Sequence, residues 1–71
     1  LTINMELIDT PNPNAKKIET DVQDEEIVNN LNNIDGVSSV FLGPDFITIT
    51  KYESFSWELI TQEIINIFDK L

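Results

Sequence analysis

The chain has 71 residues, enough for one small domain and too few for two. Thirteen acidic residues face four lysines, a formal charge of −9, which excludes a phosphate-backbone reader and disfavours an anionic membrane surface. Cysteine and histidine are both absent, so there is no disulfide, thiol nucleophile, thiolate-held metal or imidazole base, and catalysis is not expected.

The first stretch alternates with a period of two. Ile3, Met5 and Leu7 point one way and Thr2, Asn4 and Glu6 the other, which predicts a half-buried strand. Thr10-Pro11-Asn12-Pro13-Asn14 stops it, because two prolines remove two backbone donors and bias their neighbours to extended geometry. A second strand is expected over 15–20, with Ile18 inward and Lys16 and Lys17 weakening the alternation. Asp21 to Asp24 supply candidate N-caps, and Glu25 and Glu26 suit the positive end of a helix. Ile27, Val28, Leu31 and Ile34 fall on one helical face, and Gly36 is the expected C′ residue.

Val37 to Leu42 reads as the third strand, Gly43-Pro44-Asp45 as a tight connection, and Phe46 to Tyr52 as the fourth strand. In that strand Ile47, Ile49 and Lys51 share a face opposite Phe46, Thr48 and Thr50. Ser54 and Ser56 are candidate caps for a closing helix. Its stripe of Trp57, Ile60, Ile64, Ile67, Phe68 and Leu71 is the strongest periodic signal in the chain. The order ββαββα predicts an α+β two-layer sandwich, an antiparallel four-stranded sheet with two helices on one face, as a single domain over 1–71. No apolar run approaches the roughly 20 residues of a membrane span, and no signal peptide is visible. Leu1 in place of methionine suggests an excised segment.

The candidate chemistry is weak. Asp21, Asp24, Glu25 and Glu26 lack the ligand spacing and central glycine of a calcium loop, so capping is the expected role. Asp9 and Asp45 each sit beside a turn, where aspartate is ordinary, and nothing brings them together. Trp57 heads the apolar stripe and is expected in the core rather than as an exposed anchor. Phe41 and Phe46 flank the Gly43-Pro44 turn, and the alternation leaves open whether one of them faces the core while the other stays on the open face of the sheet.

The run Gly36-Val37-Ser38-Ser39-Val40-Phe41-Leu42-Gly43-Pro44-Asp45-Phe46-Ile47-Thr48-Ile49-Thr50-Lys51 resembles the signature of the N-terminal domain of the Nfu (NifU-like) iron–sulfur scaffold proteins. Thr10-Pro11-Asn12-Pro13-Asn14-Ala15, followed by Lys16, is similar to that family's opening motif, and the Trp57-led helix is similar too. The likeness covers essentially the whole chain, apart from a shortened connection between Lys17 and Asp24.

The resemblance implies a role in iron–sulfur cluster assembly or delivery. In that family a Cys-x-x-Cys pair on a separate C-terminal domain holds the cluster. No such ligand can be carried to any residue here, so no cofactor is expected in this chain. It implies a non-catalytic accessory domain that docks iron–sulfur assembly proteins or client apo-proteins, or else a purely structural stabiliser of the cluster-binding domain. The expected docking surface is Thr10, Pro11, Asn12, Pro13 and Asn14 with Phe41, Gly43, Pro44, Asp45 and Phe46. No nucleic-acid or membrane partner is expected. The chain should be a monomer in isolation, in bacterial cytoplasm or mitochondrial matrix.

Overall fold

Alternation, turn chemistry and two amphipathic stripes resolve into six elements over residues 6–21 and 24–70, the part that the computed structural model describes. The alternation through Ile3 and Met5, and the last stripe position Leu71, lie outside the described residues. Strands β1 (Leu7–Asp9), β2 (Ala15–Glu19), β3 (Val37–Leu42) and β4 (Phe46–Lys51) form one antiparallel sheet in the order β1-β2-β4-β3. Helices α1 (Glu25–Asn32) and α2 (Trp57–Asp69) pack their stripes on one face of it.

The register sorts the strand residues. Leu7, Ile18, Ile47 and Leu42 lie in one row across the sheet and face the helices. Ile8, Lys17, Thr48 and Phe41 form the neighbouring row on the other face. Ile47 and Ile49 are fully buried between the sheet and Leu31, Ile60 and Ile64. Each such side chain contributes about 1.5–3 kcal/mol by leaving water, and every described buried side chain is apolar. In β3 a bulge between Val37 and Ser39 inserts Ser38, so Val37 and Val40 both reach the helix side although they are three residues apart.

Both helices begin as the sequence predicts. The Asp24 carboxylate accepts the Glu26 N–H at 2.9 Å, with Glu25 and Glu26 in the positive first turn. Ser56, rather than Ser54, caps α2, its hydroxyl oxygen accepting the Glu58 N–H at 3.2 Å.

Three expectations are corrected, and a fourth point that the alternation left open is decided. Gly36 is not the C′ residue of α1, which ends at Asn32 with Asn33 as its cap. A further turn, Ile34 N–H to the Leu31 carbonyl and Val37 N–H to the Ile34 carbonyl, tucks Ile34 into the core first. Gly36, at φ +99°, then starts the approach to β3, and the ring of Phe55 packs where a Cβ would stand. Neither Phe41 nor Phe46 joins the core. Each is one residue out of step with its strand's core positions, Val40 and Leu42 or Ile47 and Ile49, so both project from the open face. Trp57 is half-buried at the edge of the core rather than inside it. The fourth strand also stops at Lys51, which leaves Tyr52 exposed.

Candidate functional site

The residues singled out in the sequence separate into two groups at opposite ends of the sheet. At one end the Lys51 N–H donates to the Asn14 carbonyl at 2.7 Å; at the other the Thr20 N–H donates to the Asp45 carbonyl at 3.0 Å. The length of β4 separates them, about 17 Å for six residues of strand. Thr10–Asn14 and Gly43–Asp45 therefore lie at opposite ends of the sheet rather than side by side. Asp9 and Asp45 fall at these opposite ends as well, and Asp9 pairs with Lys16 at 3.3 Å.

The Thr10–Asn14 turn is tied to itself and to the body of the protein. The Thr10 hydroxyl lies 3.0 Å from the Asn12 carbonyl and 2.9 Å from that of Ala15, and its oxygen accepts the Asn12 N–H. The Asn12 side-chain oxygen accepts the Asn14 N–H at 2.9 Å, an Asx turn that fits the sequence between two prolines. Two long-range bonds then hold the turn. The Trp57 indole N–H donates to the Pro13 carbonyl at 3.0 Å, and the Lys51 ammonium donates to the Asn14 side-chain oxygen at 3.0 Å. The Lys16 ammonium lies 5.5 Å from the Trp57 ring centroid, in cation–π range. These contacts explain why two adjacent lysines interrupt the apolar pattern of β2: Lys16 reaches the indole while Lys17 points to the other face.

The second group stays together. Gly43, Pro44 and Asp45 connect β3 to β4, and the Gly43 N–H donates to the Phe46 carbonyl at 2.8 Å. The Phe46 ring lies over Gly43, where a Cβ would come within 2.5 Å of it. Phe41 packs on Phe46, their centroids 6.0 Å apart and their planes tilted by 37°, yet remains 62 % exposed. The result is an aromatic pair on the open sheet face, fixed from behind by a glycine turn.

A further apolar group was not legible as a site. Tyr52, Phe55 and Leu59 are all exposed, with Tyr52 and Phe55 in ring contact at 6.4 Å. Phe55 precedes the cap of α2, and Leu59 is one residue off its buried stripe. That misplacement, an apolar residue on the polar side of an amphipathic helix, is the signal that could have marked it.

Nothing here suits an iron–sulfur cluster or a metal ion as a ligand set. The chain has no cysteine or histidine, and among the described residues no three carboxylates converge. Asp24, Glu25 and Glu26 serve the start of α1. Among the described residues no helix is long and apolar enough to cross a membrane.

Comparison with known proteins gives a consistent result. The human mitochondrial NFU1 iron–sulfur cluster scaffold homolog is 40 % identical over 73 residues, covering 79 % of this chain and 29 % of the relative. That stretch is longer than the part of this chain it matches, so the relative carries additional residues within it. Mitochondrial NifU-like protein 4 of Arabidopsis thaliana is 50 % identical over 32 residues, 45 % of this chain and 11 % of the relative. The chain thus spans less than a third of the length of these relatives. A solution structure of a NifU-like protein from Saccharomyces cerevisiae superposes with a TM-score of 0.74 at 28 % identity, covering 97 % of this chain and 77 % of that one. A crystal structure of a Staphylococcus aureus protein shares the fold, with a TM-score of 0.79 at 24 % identity over 93 % of this chain and 99 % of the other. Residues 3–71 match the family described as scaffold protein Nfu/NifU N terminal, and the chain belongs to that family of iron–sulfur scaffold proteins.

Proposed function

We propose that the chain is a non-catalytic docking module of an iron–sulfur cluster scaffold or carrier. It holds assembly proteins or client apo-proteins while the cluster itself is carried elsewhere. The observation that supports this reading is Phe41, 62 % exposed and braced on Phe46 over Gly43. Covering such a ring yields about 2 kcal/mol, and a ring already braced loses little freedom on binding. We assign contact to Phe41, Gly43, Pro44, Asp45 and Phe46, and give Thr10–Asn14 the part of a rigid corner. With a net charge of −9, two copies repel, which favours a monomer over residues 1–71. The mitochondrial names of the relatives favour the matrix over bacterial cytoplasm.

The test is to titrate the isotopically labelled chain with a Cys-x-x-Cys domain and with iron–sulfur assembly proteins, following amide shifts. Shifts should centre on Phe41 to Phe46, and Phe41→Ala should weaken binding about thirtyfold, the equivalent of about 2 kcal/mol for one covered aromatic side chain. Absence of any shift at every salt concentration, with cluster transfer unchanged when the module is deleted from a full-length scaffold, would leave a purely structural role instead.

A further inference from the structure

The helix layer carries a second apolar surface, on the side of the molecule opposite Phe41. α1 and α2 run antiparallel: Asn30 and Asn33 near the end of α1 line one groove with Phe55 and Leu59 at the start of α2, while Asp24 and Glu26 lie with Ile67 and Lys70 at the other end. Ile34 forms part of the first groove, with Asp35 and Glu63 also along it. Leu59 is 72 % exposed and contributes nothing to the buried stripe of α2. A single exposed leucine is ordinary, but Leu59 and Phe55 lining one concavity, with Tyr52 against the Phe55 ring, are not.

Charge decides what fits there. Of the thirteen acidic residues, eight lie in 24–35 and 52–70: Asp24, Glu25, Glu26, Asp35, Glu53, Glu58, Glu63 and Asp69. Against them these segments hold one lysine, Lys70, which leaves five acids and three lysines for the rest of the chain. The helix layer therefore carries most of the negative charge, although Lys16 and Lys51 of the sheet also turn to its side. A second copy, a nucleic acid or an anionic bilayer would each bring like charge to it. A cationic polypeptide would not. Two antiparallel helices with a groove between them also offer the natural seat for a third, anchored by apolar residues at i, i+3 and i+4.

We infer that the groove between α1 and α2 receives a basic amphipathic helix of a partner protein, its apolar face on Phe55 and Leu59 and its lysines or arginines beside Asp35 and Glu63. This deepens the docking reading and rests on it, but it uses the opposite face of the molecule, so the two surfaces can be tested apart.

The probe is a synthetic helical peptide with leucine at i, i+3, i+4 and i+7 and lysine elsewhere, beside a twin with glutamate for lysine. The lysine peptide should shift the amides of Asn33, Asp35, Phe55, Leu59 and Glu63, and leave Phe41 and Thr48 unmoved; the glutamate twin should not bind. Leu59→Ala, at an exposed position that leaves the core intact, should raise Kd about tenfold, and Asp35→Asn with Glu63→Gln should flatten its salt dependence. Binding that ignores Leu59→Ala, shifts centred on the sheet face, or a dimer of the chain lost in Leu59→Ala would each overturn the assignment. The same Leu59→Ala and Phe41→Ala variants, measured against the assembly proteins, separate the readings. Sensitivity to Phe41→Ala alone, with a peptide indifferent to Leu59, removes the groove and keeps the sheet-face reading. The reverse pattern removes the sheet face and keeps the groove.

Discussion

Trp57 reaches across 44 residues of sequence to donate its indole N–H to the carbonyl of Pro13, 3.0 Å away, so the head of the last helix fixes the first turn. A phenylalanine would keep much of the ring packing and lose the donor. Trp57→Phe should cost about 1 kcal/mol, the net value of one hydrogen bond. For a domain of this size that is a fall in Tm of about 4–8 °C, readable by circular dichroism. An unchanged Tm would show that the bond carries nothing.

Alanine at the two glycines should act in different ways. At Gly36 the φ of +99° is strained for any residue with a Cβ, so Gly36→Ala should destabilise by about 1–3 kcal/mol in urea unfolding. At Gly43 the obstacle is the Phe46 ring, 2.5 Å from an added Cβ, which has to swing aside. Gly43→Ala should change the ring shifts of Phe41 and Phe46 and weaken partner binding more than it weakens the fold.

Core and surface aromatic or aliphatic positions should also part company. Ile64 is fully buried, and Ile64→Ala should cost about 2–5 kcal/mol, most of the stability a core this small can supply. That variant should be largely unfolded at 37 °C. Phe41→Ala, at an exposed position, should stay within about 0.5 kcal/mol of the native chain, as surface changes usually do.

Association with basic partners should be governed by salt through its rate. The charge of −9 acts at a distance in dilute buffer, while at 0.1 M ionic strength the Debye length is about 10 Å. Raising salt from low to high should slow association several-fold and leave dissociation nearly constant in stopped-flow mixing. An association rate independent of salt would count against electrostatic steering.

Most of the fold could be read from residue order because the signals were local. Asp24 before Glu25-Glu26, Ser56 before Trp57, and Ile47 with Ile49 on one side of a strand each dictate geometry within a few residues. The family resemblance, carried by Thr10–Ala15 and Gly36–Lys51, was confirmed by the match over residues 3–71. What could not be read was long-range. That Thr10–Asn14 and Gly43–Asp45 lie at opposite ends follows only from β2 pairing with β4. The same pairing brings Lys51 to Asn14. Gly36 suits a helix cap by residue type, but α1 ends at Asn32 because Ile34 reaches the core only through one further turn.

The bulge at Ser38 has a consequence beyond the placement of Val37. β3 is the outer strand on its side of the sheet, and its free margin is the one a neighbouring chain would use to extend the ladder. An extra residue near the start of β3 puts the donors and acceptors on either side of it out of phase, so an incoming regular strand can match only the run from Ser39 to Leu42. Edge-to-edge pairing at this margin is thereby confined to a run of four residues, shorter than the strand itself.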